Sequence, residues 1–582
     1  MMKTFDIFVI PFVVGMVFVL IFCLAALGRV ILQMPHSDRR RFLVSLVTPK
    51  IFLRNIRDIF CDCLLHVKIW RRKPILGFMH SAIAFGWFMI IVIGHIEVFV
   101  LQPFRDYNLS VAQDLGSKLY LPIFFRFFSP EAASSTAKIL AFLMDFFLAL
   151  ILCGILIAFL KKMKSTIVGV KRITKFGLAD SVIRIALWTI FPFRLAAETT
   201  QLMAFWWLYS LDLCLFMFLL PFTRYMHIPS EMLLILLRNA GIKSKNPRKG
   251  FALAEMYSCP GCGLCIDACP MSVDDEKSGM TSVYFIRNLR KNDPDKMREM
   301  AEVCLMCGKC VSVCPVAIQS CDLKLNLRKN EAENLISDLS YLNKVDISEN
   351  ICEKGEKILF FAGCMTHLTP RIIKSMKEIF EKAGERYEIM DSEGGICCGR
   401  PMLLAGKTDA AQAVIAKNTE MIRKSGARKL VVSCPICYRV FKEEYQLEDI
   451  EIQHHSQYID EIISKEKLKL SRKESRIVYH DPCELGRPFG IYDEPRRVVE
   501  SCGVLIEAEQ NRNMSVCCGG SLSSITMSKD KRDAVTDSSL ANLMANHPDE
   551  IATACPLCLK TFAKKADIQV NDIAELVAEN CS

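Results

Sequence analysis

Eighteen of the 27 cysteines in this 582-residue chain fall into four groups whose spacing suits a metal cluster. Two groups are compact. CPGCGLCIDACP supplies Cys259, Cys262, Cys265 and Cys269 ahead of Pro270, and CLMCGKCVSVCP supplies Cys304, Cys307, Cys310 and Cys314 ahead of Pro315. Both follow C-x-x-C-x-x-C-x-x-x-C-P, in which three thiolates on a tight turn grip three irons of a cubane. A zinc site needs only four ligands, usually in two C-x-x-C pairs. The other two groups are spread out. Cys364 is separated from Cys397-Cys398-Gly399 by 32 residues, and Cys434-Pro435-Ile436-Cys437 follows after 35 more. Cys483, Cys517-Cys518-Gly519 and Cys555-Pro556-Leu557-Cys558 repeat the arrangement with gaps of 33 and 36. Adjacent cysteines do not easily ligate one tetrahedral zinc, and five thiolates exceed the needs of a simple cubane. Something larger than one metal ion is implied.

The elements that must position these thiols are partly legible. Runs of C-x-x-C-x-x-C-x-x-x-C-P are those of bacterial two-cluster ferredoxins, where the fourth cysteine crosses to the other cluster. On that pattern Cys314 goes to the first cluster and Cys269 to the second. A polar stretch from Ile286 to Met300 between the two runs reads as helical, broken near Pro294. Farther on, Lys357 to Phe361 is an apolar run before a Gly-Cys turn, with an amphipathic helix predicted over Thr369 to Ala383. Arg476 to Tyr479 opens the same design again. Cys364, Cys397 and Cys434 recur as Cys483, Cys517 and Cys555 at offsets of 119, 120 and 121 residues, an internal duplication that predicts two tandem α/β domains.

The first 230 residues have a different character. Ile7–Leu27, Ile75–Leu101, Ile139–Leu160 and Leu202–Phe222 are apolar and long enough to span a bilayer. Ala179–Ala197, interrupted by Asp180, Arg184, Pro192 and Arg194, is counted as a further span, for a five-helix transmembrane bundle. The first run is too long for a signal peptide and ends in Arg rather than a cleavage site. Ten Lys/Arg between Met34 and Pro74, and more from Lys161 to Arg172, contrast with four between Gln102 and Lys138. By the positive-inside rule the amino terminus is outside and everything after the fifth helix is cytoplasmic. The net charge of +10 is thereby read as a topology signal, and nucleic acid is not expected as a partner. Cysteine pairs followed by Pro point to a reduced compartment full of ligands rather than a disulfide framework.

His80, early in the second helix, and His227, at the end of the last, come to the same cytoplasmic depth, which fits bis-histidine ligation of haem b. His95 lies about 22 Å farther along its helix, and no histidine falls between it and His227. One haem is therefore expected, with His95 left for a quinone or proton path. Glu97, Asp145 and Asp212 are intramembrane carboxylates, read either as functional groups or as satisfied helix contacts. Cys23, Cys61, Cys63, Cys153, Cys214, Cys321, Cys352, Cys502 and Cys581 match no ligand pattern and are read as packing residues or free thiols.

The spread cysteine repeats resemble the CCG domains of heterodisulfide reductase subunits B and D, and the compact pair resembles the ferredoxin module of subunits C and D. The membrane region, with PFTRYMH at residues 221–227, resembles the nitrate reductase gamma family. The whole is similar to a fusion of heterodisulfide reductase subunits E and D, and is related to membrane partners of electron-transfer flavoproteins and the sulfite reductase system. The resemblance implies a non-cubane [4Fe–4S] cluster on each CCG set, where a disulfide is cleaved one electron at a time, beside two cubane clusters and haem b. It implies domains at 1–235 (haem and quinone, menaquinone being a candidate), 236–350 (ferredoxin), 351–470 and 471–582 (CCG). The expected activity is a quinone-linked oxidoreductase of the cytoplasmic membrane serving a thiol/disulfide or flavoprotein partner. The alternative is a non-catalytic electron-transfer subunit for a separate dehydrogenase or electron-transfer flavoprotein. His367 and His480, beside the first cysteine of each set, either tune or protonate the site or are structural; Arg400 is a candidate charge near the cluster. No Rossmann glycine fingerprint is evident, so a hydride-accepting site is expected on a partner.

Overall fold

The computed structural model describes residues 7–96, 135–168, 174, 177–200, 202–244, 246–272, 280–330, 358–522 and 527–581. They divide into two units, Met1–Asp267 with Cys314–Ile318, and Ala268–Val313 with Gln319–Ser582.

The first unit is helical. Four stretches are long and apolar enough to cross a membrane: Ile7–Leu32, Pro74–Gly94, Phe142–Met163 and Met203–Phe222. The sequence pattern predicts five. The fifth stretch does form a helix, Leu178–Thr200, with Pro192 inside it, but its ionisable residues keep its composition short of the other four. Phe12, Ile90, Ile151, Ile183 and Leu213 build the core of the bundle. Outward-facing residues stay apolar, with Leu24 65% and Phe142 68% exposed, as suits a lipid-facing surface. Pro74–His95 and Ser135–Met163 pack closely because Gly86 and Gly154 lie where they meet: a Cβ on Gly86 would stand 2.7 Å from Ile151. The basic segment before Pro74 is not extended but folds into helices His36–Val47 and Pro49–Ile59. His95 ends its helix, and Glu97 lies outside the described residues.

The second unit carries the duplication into three dimensions. β1 (Ile358–Phe361), β2 (Tyr387–Ile389), β3 (Lys429–Val432) and β4 (Glu451–His454) form one sheet in the order β2-β1-β3-β4. β5 (Arg476–His480), β6 (Val504–Ile506), β7 (Glu550–Thr553) and β8 (Gln569–Asp572) form a second sheet ordered β6-β5-β7-β8. All pairings are parallel, with Phe361 opposite Val432 and His480 opposite Thr553. Helices cover the faces, so the central strands are largely buried on both sides, and β1 reads as an unbroken apolar run. The predicted helix after Thr369 spans Pro370–Lys382. The predicted break near Pro294 separates Ser282–Lys291 from Pro294–Glu302, with Asn292 left-handed (φ 55°) and the Asp293 carboxylate accepting from the Lys296 amide. The repeats share one apolar core, bridged by His455, whose Nε2 lies 2.9 Å from the fully buried Asp572 carboxylate.

Candidate metal centres

In a parallel sheet ordered in this way, β1 and β3 lie at the point where the winding reverses, and their carboxyl ends open the crevice where such folds place ligands. Cys364 follows β1 after Ala362-Gly363, and Cys434 follows β3 after Ser433. Cys397 and Cys398 come from the loop beyond β2, and Cys437 from the first turn of helix Pro435–Glu443. The same topology delivers Cys483, Cys517, Cys518, Cys555 and Cys558 around β5, β6 and β7.

The third position in each CCG triplet must be glycine: Gly399 and Gly519 have φ of +89° and +85°. A Cβ on Gly519 would also stand 2.7 Å from Thr536 Oγ1 and 2.9 Å from the Arg532 carbonyl. Helix side chains then fix the triplets through their carbonyls. Asn418 donates to Cys397 O (2.9 Å), Tyr445 to Cys398 O (3.2 Å) and Thr536 to Cys518 O (2.8 Å).

Each set of thiols converges. Cys397 is hydrogen-bonded to Cys364 and Cys398, and Cys398 to Cys437. In the second repeat the Cys517 thiol lies beside Cys483 and Cys518, while the Cys518 and Cys558 sulfurs stand 3.3 Å apart. Sharing a proton polarises these groups: the Cys364 thiol holds Cys397 down to about 3, whereas its neighbour Cys397 pushes Cys364 up. Gathering so many buried sulfurs is unfavourable as bare thiolates and favourable around iron, whose charge offsets both desolvation and mutual repulsion. The donor set therefore fits an iron–sulfur group. Among the described residues, no three His, Cys, Asp or Glu side chains are arranged to hold a single metal ion.

The compact runs are divided between the units. Cys259, Cys262, Cys265 and Cys314 lie in the first, and Cys269, Cys304, Cys307 and Cys310 in the second. Buried Lys324 acts on Cys304, Cys310 and Cys269; despite its burial, these sulfurs push its ammonium up, so it stays cationic. Ser320 Oγ lies 3.2 Å from Cys310 Sγ. Cys321, which matched no pattern, is hydrogen-bonded to both Cys304 and Cys310. Two further contacts link the sets within the second unit. Cys307 is hydrogen-bonded to Cys517, which draws it down to about 6, and Cys434 to Cys555.

His367 and His480 differ in surroundings. Asp391, fully buried, accepts from the Ala362 and Gly363 amides (3.1 and 2.7 Å) and lies 3.1 Å from His367 Nε2. That hydrogen bond raises the His367 pKa. A raised histidine pKa contributes stability that is complete below the unfolded value near 6.5 and is lost as pH rises through the folded value. NMR titration of His367 is expected to report a raised pKa that falls back toward 6.5 in Asp391→Asn. His480 instead packs edge-on against Phe562 at 4.8 Å, and burial lowers its pKa.

Arg400 is buried, but its partner is Glu484, at 3.4 Å, which also takes Arg439 at 2.8 Å. Burial penalises the Glu484 carboxylate, yet the two guanidiniums hold its pKa below the usual range. This triad joins the helix after Cys398, the helix after Cys434 and the helix beginning at Cys483. Removing one member of a buried ion network leaves unpaired charge at a cost of about 3–5 kcal/mol. Glu484→Ala is expected to lose about 3 kcal/mol, seen as a fall of several degrees in the temperature at which cluster absorbance is lost.

In the first unit, His227 Nδ1 donates to the Arg224 carbonyl at 2.6 Å, which places the ring's lone pair on Nε2, the tautomer that ligates metal. His227, Lys161 and His66 all lie close enough to act electrostatically on His80. The His66 ring, missed by sequence reading, stacks on His80 with centroids 5.3 Å apart, its backbone in the left-handed region at φ 49°. The Ser81 hydroxyl, donating to Leu65 O (2.7 Å) and accepting from Trp70 (2.7 Å), ties this turn to the His80 helix. His80 and His227 are the imidazoles that would hold a haem iron here, each with a ring nitrogen to offer. Asp212 accepts from Thr189 at 2.5 Å across neighbouring helices, a satisfied contact.

Comparison with known proteins matches these regions. The cysteine-rich CCG domain family matches residues 358–442 and 477–563, and the 4Fe-4S dicluster domain family matches 255–318. The chain carries two CCG domains and one dicluster domain. It is 28% identical over 244 residues to the D component of the dihydromethanophenazine:CoB–CoM heterodisulfide reductase of Methanosarcina barkeri, a match covering 39% of this chain and 59% of that protein. It is 29% identical over 245 residues to the EtfAB:quinone oxidoreductase of Syntrophomonas wolfei, covering 38% and 34%. A probable membrane-anchored ferredoxin of Chromohalobacter salexigens is 23% identical over 350 residues, covering 57% and 49%.

Proposed function

We propose that the chain is a membrane-bound iron–sulfur oxidoreductase that relays electrons between a membrane quinone and a redox partner on the cytoplasmic side. The observation that carries this reading is the continuity of cysteine sets in the second unit. Cys307 of the compact pair meets Cys517 of one CCG set, and Cys555 of that set meets Cys434 of the other. Electron transfer needs short gaps between one-electron centres, and thiol contact supplies them.

Cys259, Cys262, Cys265 and Cys314 hold one cubane cluster, and Cys304, Cys307, Cys310 and Cys269 the other. Cys364, Cys397, Cys398, Cys434 and Cys437 hold one non-cubane cluster; Cys483, Cys517, Cys518, Cys555 and Cys558 hold its counterpart. His80 and His227 hold a single haem b, and the quinone, menaquinone in this reading, binds in the same membrane domain. When bound, these groups supply the one-electron storage that side chains lack. The protein's part is to hold thiolates and imidazoles in fixed positions, keep water from them, and place counter-charges such as Lys324. Domains follow at 1–235, 236–350, 351–470 and 471–582, with Leu178–Thr200 completing five spans and the basic segments on the cytoplasmic side.

Across the whole reaction, a quinol releases two electrons and two protons, and a disulfide takes up two of each to give two thiols. A second reading, a non-catalytic subunit feeding an electron-transfer flavoprotein, is favoured by the relative whose name is EtfAB:quinone oxidoreductase. One assay separates the two. Purified protein in detergent, given menaquinol, should reduce a small disulfide unaided on the first reading. Reduction only of added electron-transfer flavoprotein selects the second, and failure with both acceptors rejects the relay.

A further inference from the structure

We propose that Arg224 is a positioning residue that ties the His227 end of the helical bundle to the loop bearing Cys259 and Cys262, and sets the reduction potential of the cluster they hold. The inference rests on the ligand reading above and adds a residue that no motif assigns to a cluster.

All the contacts lie within the first unit. After Met203–Leu219 the chain tightens through short turns at Leu220–Phe222 and Arg224–Met226 before His227 opens the next helix. Asp180 grips this bend, accepting from the Arg224 amide at 3.1 Å and pairing with its Nε at 3.6 Å. The bend therefore presents Arg224 in two directions. Its carbonyl accepts from His227 Nδ1 at 2.6 Å. Its guanidinium reaches the Cys259-Pro260-Gly261-Cys262 turn, with Nη1 3.3 Å from the Gly261 carbonyl and Nη2 3.4 Å from Thr174 Oγ1. Thr174, 1% exposed, donates to the same Gly261 carbonyl at 2.6 Å.

Gly261 supplies the left-handed backbone that this turn needs. Its φ is +63°, and a Cβ there would lie against the guanidinium at 3.5–3.6 Å, in the space between Arg224 and Thr174. The result is a permanent cation one residue from Cys262, held by Asp180 on one side and by backbone on the other. Lys161 also acts on Cys262. Reduction adds a negative charge to a cluster, so a nearby fixed cation favours the reduced form and raises its potential. The same residue, through its carbonyl, orients the imidazole of the preceding centre. One side chain and its own backbone thereby span the junction between the two.

The test is an EPR-monitored redox titration of full-length protein in detergent, with the first cubane's signal identified by its loss in Cys262→Ser. Arg224→Gln is expected to lower the reduced-to-oxidised ratio of that cluster about tenfold at fixed potential, ~59 mV for a one-electron couple, leaving the other clusters unmoved. Arg224→Lys keeps most of the charge and should retain most of the potential. Thr174→Val, which keeps the charge but loosens its aim, should give an intermediate shift and covers the case in which Arg224→Gln does not fold. Haem content by pyridine haemochrome should hold in all three, because the carbonyl that His227 uses is backbone. Full iron and haem with an unmoved potential in Arg224→Gln and Thr174→Val would overturn the proposal. Wild-type protein that binds no haem, or shows no signal removed by Cys262→Ser, overturns instead the ligand reading beneath it.

Discussion

Cys398→Ser protein is expected to come out folded, short of about four irons per chain, and without one non-cubane EPR signal. The substitution replaces sulfur by oxygen at nearly constant shape, so packing is not what it tests. Cys398 is 2% exposed and touches both Cys397 and Cys437, while Tyr445 and Asn418 hold the triplet through its carbonyls. Those backbone contacts survive the change. What is lost is one thiolate from a five-thiolate set, and a hydroxyl there is a poor donor to iron. The cubane signals should persist, since their cysteines lie elsewhere in the chain. Turnover with either acceptor should fall at least about 100-fold, since even supporting residues around metal ligands are worth 10–100-fold. A non-cubane signal that survives intact would remove Cys398 from the ligand set. The matching change in the second repeat, Cys518→Ser, should remove the other signal and leave the first.

The second large effect belongs to the membrane end. His227→Ala is expected to abolish the haem b absorbance and to slow quinol-driven reduction of the clusters by about 100-fold or more. Reduction by dithionite, which bypasses the membrane, should be unaffected. His80→Ala should behave alike, because on the proposed reading both imidazoles would be needed to hold the haem. The informative control is His66→Ala. His66 stacks on His80 face to face, a geometry in which it supports the ring rather than opposing it across an iron. Haem should therefore remain, with an altered potential. Loss of haem in His66→Ala together with its retention in His227→Ala would transfer the ligand role from His227 to His66.

Much of this architecture is legible because the signals are local. Spacing within C-x-x-C-x-x-C-x-x-x-C-P is a property of one turn, and the offsets near 120 residues reveal a repeated βα unit without any knowledge of its neighbours. β1 and the Ile477-Val478-Tyr479 centre of β5 read as strands since both their faces are covered, which leaves apolar residues there. Pro294 marks its helix break through local backbone chemistry, the lost N–H and the ring clash with the preceding turn. Leu178–Thr200 is harder to read, because Asp180 and Arg194 blur the apolar signal. Asp180 is kept in that helix for a partner, Arg224, 44 residues away.

The groups that sequence reading missed share one property: their meaning depends on residues remote in the chain. Asp391 resembles any surface aspartate until the sheet brings it under the Ala362 and Gly363 amides. Glu484 is one of many glutamates until Arg400 and Arg439 converge on it from the other repeat. Cys321 carries no motif, because its relation to Cys304 and Cys310 arises from a helix folding back on a loop.

By itself, then, the sequence determined which cysteines travel together, that the α/β half is duplicated, and that an apolar third precedes it, since each is written in spacing or composition over short stretches. Only the tertiary structure decided that Cys307 meets Cys517, that Cys434 meets Cys555, and that Arg224 leans on Gly261. Each of those contacts joins segments separated by tens to hundreds of residues, and proximity at that range is set by how parallel sheets and helices pack rather than by any local pattern.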